Sequence, residues 1–82
     1  MLNVELVSPE KKVFSGEAVS VSARTLEGDL GILTDHAPLL GVLVDGEVVI
    51  KGTDGSTNTF SVAGGFLSVS NNRVSILAES SN

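Results

Sequence analysis

The sequence predicts an all-β fold, a flattened antiparallel sandwich or barrel of about eight to ten short strands. Three observations predict it. Apolar and polar residues alternate with a period of two, no window keeps an i, i+3, i+4, i+7 apolar stripe over three helical turns, and turn-forming residues recur at short intervals. The twelve valines, with eleven serines opposite the apolar positions, suit a pleated, half-wet surface better than a helix.

In chain order, Leu2, Val4 and Leu6 alternate with Asn3 and Glu5, which predicts a first strand with one buried face. Ser8-Pro9-Glu10 closes it with turn chemistry, and Ser15-Gly16 marks the next expected break. Val19, Val21 and Ala23 against Ser20, Ser22 and Arg24 repeat the pattern. Asp45-Gly46, between Leu43-Val44 and Val48-Val49-Ile50, reads as a two-residue type I′ hairpin, because Asp-Gly tolerates the two positive φ values that this turn needs. Asp54-Gly55 and Asn71-Asn72 mark further turns. Between and after them Phe60 with Val62, Leu67 with Val69, and Val74 with Ile76 supply the remaining inward faces, and Phe14 is expected in the core-facing register with Phe60.

A chain of 82 residues is one small domain, taken here as residues 1–82. Its 41% hydrophobic content is too high for a disordered tail, and no run approaches the ~18 apolar residues of a membrane helix. Met1 to Glu5 lacks the basic and apolar blocks of a signal peptide, so the chain is expected to stay in the compartment where it is made. Without cysteine there is no disulfide, thiolate nucleophile or Cys-based zinc site. The net charge is −5, the five basic residues are scattered, and only three Phe supply aromatic surface, which argues against nucleic acid.

One segment breaks the alternation: Glu27 to Leu40, EGDLGILTDHAPLL. It is long for a turn and unusually apolar, with Leu30, Ile32, Leu33, Leu39 and Leu40. It either folds back on the sandwich or touches another molecule. Glu27, Asp29, Asp35 and His36 have no fixed mutual spacing, so they read as solvated carboxylates and a loop-bracing imidazole rather than metal ligands. Gly28 and Gly31 precede no helix, and no lysine lies in the segment, so a phosphate cradle is not expected. Nothing in the sequence fixes a Ser-His-Asp geometry around His36. No cofactor, metal or catalytic residue is expected, and a protein-binding module is the reading that remains.

EGDLGIL at 27 to 33 followed by HAPLL at 36 to 40 resembles the signature region of the epsilon subunit family of F-type ATP synthases. Val7-Ser8-Pro9-Glu10 with Val13-Phe14-Ser15-Gly16 resembles that family's first hairpin. Gly64-Gly65-Phe66-Leu67-Ser68-Val69 and Val74-Ser75-Ile76-Leu77-Ala78-Glu79 resemble its late strands, so the likeness runs in order from about Leu2 to Glu79.

The resemblance implies a flattened β-sandwich at the foot of the rotating central stalk, fastening the gamma subunit to the c-ring of a proton-driven ATP synthase without performing chemistry. It implies a ring-facing loop of Glu27, Gly28, Asp29, Leu30, Gly31 and Ile32, and gamma-facing positions at Ser8, His36, Pro38, Leu39 and Leu40. It also implies a peripheral position at the cytoplasmic face of a bacterial membrane, with no membrane insertion and no small-molecule substrate. Relatives continue into a two-helix C-terminal domain, whereas this sequence stops at Asn82, so that domain is expected to be absent. A stand-alone ligand- or carbohydrate-binding sandwich is the alternative.

Overall fold

Burial along the chain follows the alternation of the sequence. The computed structural model describes residues 1–80 and contains β1 (Leu2–Val7), β2 (Lys12–Thr25), β3 (Gly28–Leu33), β4 (Leu39–Gly52), β5 (Thr57–Ser70) and β6 (Arg73–Ala78), so the expected all-β class holds. In β1, Leu2, Val4 and Leu6 are buried while Asn3 and Glu5 are exposed; in β6, Val74, Ile76 and Ala78 are buried while Arg73, Ser75 and Leu77 are exposed. These side chains meet Val21, Ile32, Leu43, Val48, Ile50, Leu67 and Val69 in one core. Phe14 and Phe60 are half-buried at its edge, with rings edge to face at 5.9 Å, as their register predicts.

The eight to ten short strands expected are six, because β2, β4 and β5 each run 14 residues through points where the sequence suggested a turn. Ser15-Gly16 lies inside β2, facing Val4 and Glu5 of β1. Asp45-Gly46 is not a hairpin: it lies inside β4, opposite Ala63 and Val62 of β5, and neither residue takes a positive φ. The β4–β5 connection falls instead at Thr53 to Ser56, where Gly55 has φ +87° and the Gly52 N–H donates to Ser56 O at 2.9 Å. The long β4–β5 pairing, from Leu39↔Val69 to Lys51↔Thr57, leaves no place for a turn at Asp45. Asn71-Asn72 does form the positive-φ hairpin its residues suggest, with φ of 51° and 61° between the paired Ser70 and Arg73.

β1, β6, β5, β4 and β2 close on themselves through the β1–β2 pairing, and β3 extends from the β2 edge. An odd number of strands cannot alternate direction all the way round a ring. One neighbour pair must be parallel, and it is β1–β6, a departure from the wholly antiparallel expectation. The shortest dimension of the body is 17 Å, which suits the flattened form expected. Ser81 and Asn82, at the expected stop before any helical extension, lie outside the described residues.

Candidate docking surface

The 27–40 segment is mostly strand rather than a loop. Gly28 to Leu33 form β3, paired in register with Thr25 to Ser20 of β2, and Leu39 already belongs to β4. A tight turn at Leu26 and Glu27 joins β2 to β3. Thr25 braces it, its Oγ1 donating to Gly28 O at 2.9 Å and accepting the Glu27 N–H at 3.2 Å. The Leu26 N–H donates to Val42 O at 3.0 Å and pins the turn against β4.

The strand divides the expected ring-facing residues by parity. Glu27, Gly28, Asp29 and Gly31 are exposed, whereas Leu30 is half-buried against the core. Ile32 is fully buried, opposite Val21 of β2. Its assignment as a contact is therefore corrected: its side chain fills the core, and Leu33, on the opposite parity, faces solvent instead. Asp29 stands across β3–β2 from Arg24, whose Nε donates to Asp29 Oδ1 at 3.1 Å, with both side chains well exposed. Nearby, the β2–β4 register shifts between Ser22 and Thr25, beside an open cleft of about 470 Å³ lined by Ala23, Arg24, Asp29, Gly46, Glu47 and Val49 among others.

The expected gamma-facing residues separate in the same way. Leu40 and Pro38 are exposed, and Leu39 and His36 are half-buried. His36 Nδ1 lies 2.7 Å from Ala37 O; a carbonyl only accepts, so Nδ1 carries the hydrogen. Ser8 is buried, and its Oγ donates to Lys11 O at 3.2 Å, so its side chain closes the β1–β2 turn and is not presented to a partner. The carboxylates and His36 do not converge as metal ligands would. Asp29 meets Arg24 and Asp35 meets Asn72; among the described residues no three metal-binding side chains cluster. Also among them, no helix is long and apolar enough to cross a membrane.

An apolar row that sequence reasoning missed crosses β4, β5 and β6 on the outer face. Val42 of β4 is the cross-strand partner of Phe66 in β5, and Phe66 is the partner of Leu77 in β6. Leu26, bonded to Val42, extends the row at one end, and half-buried Val7, partner of Leu77, extends it at the other. Leu26, Val42, Phe66 and Leu77 are 70%, 42%, 52% and 53% exposed, and Leu40, on the same face as Val42, is 75% exposed. The signal was present in the alternation. Phe66 and Leu77 fall on the parity opposite the buried Leu67 and Ile76, where serine otherwise prevails.

A small closed sheet with a contiguous outward apolar row belongs to the class of β modules whose surface has the character of an interaction site. The chain belongs to the delta/epsilon chain family of ATP synthases: the model of "ATP synthase, Delta/Epsilon chain, beta-sandwich domain" matches residues 1–81. It is 56% identical over 79 residues to the ATP synthase epsilon chain of Micrococcus luteus, spanning 96% of this chain and 87% of that one. It is 51% identical over 78 residues to the epsilon chain of Streptomyces avermitilis, spanning 95% of this chain but 63% of that longer one. Its fold matches a chain in the central stalk and c-ring structure of Tetrahymena thermophila mitochondrial ATP synthase, with TM-score 0.82 and 26% identity over 99% of this chain and 65% of that one. The alternative of a free-standing carbohydrate module is not favoured by this membership.

Proposed function

We propose that this chain is a non-catalytic rotor adaptor that holds the gamma subunit against the c-ring, so that torque from proton flow reaches the catalytic head. It would sit peripherally at the cytoplasmic face of a bacterial membrane. The observation that carries the reading is the exposed row Leu26–Val42–Phe66–Leu77 with Leu40 beside it. These side chains are 42% to 75% exposed, so a partner that covered one would gain that fraction of the about 1.5 to 3 kcal/mol that full burial yields. The gamma subunit is the proposed cover, with Pro38, Leu39 and His36 at its margin. Glu27, Gly28, Asp29, Leu30 and Gly31 form the proposed ring-facing tip, where the absence of side chains on Gly28 and Gly31 permits close backbone approach. The two surfaces meet at Leu26, which suits a part that joins two others.

Purified gamma subunit from the same organism tests the reading. Phe66→Ser changes an exposed side chain and should leave the folded state intact, yet weaken gamma binding by about 2 kcal/mol, or roughly thirty-fold. Calorimetry showing equal affinity for the variant and the parent would remove the apolar row from the interface. A parent chain that fails to bind gamma at any salt concentration would overturn the function itself.

A further inference from the structure

The β3–β4 connection is held by a side chain from the far hairpin. Asn72, in the β5–β6 turn, accepts the Asp35 N–H on its Oδ1 at 2.6 Å and donates from Nδ2 to Asp35 Oδ1 at 3.1 Å. The Asn72 carbonyl meanwhile accepts the Asn3 N–H at 2.8 Å, tying the same residue to β1. Both residues sit in the left-handed region, Asp35 at φ 65° and Asn72 at φ 61°, a conformation that Asn and Asp tolerate better than other side chains. The clasp closes one side of an open concavity of about 350 Å³ lined by Asp35, His36, Pro38, Asn71 and Asn72. From Asp35 the chain runs directly through His36 and Pro38 to Leu40, at the margin of the apolar row.

We infer that Asn72 is a positioning residue for partner docking: by gripping Asp35 at two points it fixes the path of His36 to Leu40, and so sets the margin on which the gamma subunit seats. This rests on the function proposed above. Among the described residues, the other backbone bond within the connection runs from the His36 N–H to Leu33 O, at 3.2 Å, and it closes the local turn without tying it to the body. Without Asn72 the connection would remain attached at its ends and be free to tilt between them. Partner binding would then have to order it, and an interface that must be ordered on binding is weaker than one already set.

The test exploits the asymmetry of the pair. Asn72→Asp keeps an acceptor for the Asp35 N–H and a residue suited to positive φ, but it removes the Nδ2 donor and faces one carboxylate with another. Combining it with Asp35→Asn restores a donor opposite an acceptor with the roles exchanged. Affinity for purified gamma subunit and the melting temperature of the free chain are measured for the parent, the single variant and the double variant. Asn72→Asp should bind gamma about five-fold or more weakly, as expected for losing one well-placed hydrogen bond, and the double variant should recover the parent's affinity. A single variant that is folded and binds gamma as the parent does overturns the inference while leaving the adaptor function standing. So does a single variant whose weakened binding is not rescued by the exchange. A parent chain that does not bind gamma overturns both.

Discussion

At Gly65 the backbone takes φ +133°, and a Cβ there would overlap the Leu77 carbonyl oxygen and lie 2.9 Å from Ala78 Cα. A side chain is refused twice, by conformation and by the β6 backbone packed against it. Gly64 beside it has φ +85°, and its carbonyl accepts the Glu79 N–H at 3.1 Å, which seats the end of β6 across the bend in β5. Gly65→Ala is therefore expected to cost more than about 3 kcal/mol and to leave little folded protein, as judged by the denaturant midpoint. A variant with the parent's midpoint would show that the bend relaxes freely. The glycine pair was visible in the sequence as a likeness to a family motif, but its cause was not: the obstacle is a carbonyl from a strand twelve residues further on. Ile32 shows the opposite case. Period two from Leu30 would have placed it inward, had the Gly-rich segment been read as a strand rather than a loop.

The turns show which local signals survive tertiary pairing. Asn71-Asn72 became a two-residue hairpin as its residues suggest, whereas Asp45-Gly46 was overridden by the long in-register ladder between β4 and β5, which continues on both sides of the Gly64-Gly65 bend. Dipeptide preference is a local signal, and a long strand pairing outweighs it. At the true β4–β5 turn, the Ser56 hydroxyl and then the Ser56 N–H, at 3.0 Å, donate to the Asp54 carboxylate and hold its pKa below the ordinary aspartate range. These bonds favour the ionised form, so the folded pKa lies below the unfolded one. The turn's stabilisation is then fully present above the unfolded value of about 4 and is lost as pH falls through the lower folded value. A carboxyl NMR titration should place the Asp54 midpoint below that of a free aspartate, and Ser56→Ala should move it upward. Coincident midpoints in parent and variant would mean that the Ser56 hydroxyl does not hold the charge.

Across the whole molecule, closing an odd ring of strands forces β1 and β6 to run parallel, and β3 is left as an extension of the β2 edge outside the ring. This geometry explains why only part of the docking surface was legible. A row that crosses β4, β5 and β6 joins residues far apart in sequence, and no local pattern links Val42 to Phe66 or Leu77. The segment next to it was legible because its residues are consecutive. Its orientation now makes the ring-facing proposal sharper, since β3 sends Asp29 outward and Ile32 inward. In an assembled complex carrying a cysteine in the polar loop of the ring, Asp29→Cys should form a disulfide-linked product under mild oxidation. Ile32→Cys, only three residues away, should not, because its sulfur would lie beneath the sheet, where no second thiol can reach it. The pair separates a surface that meets the ring from general proximity of the segment, which would label both positions or neither. Should Asp29→Cys give no product while control cysteines elsewhere in the stalk couple normally, the tip of β3 does not face the ring, and the adaptor would have to reach it through another edge.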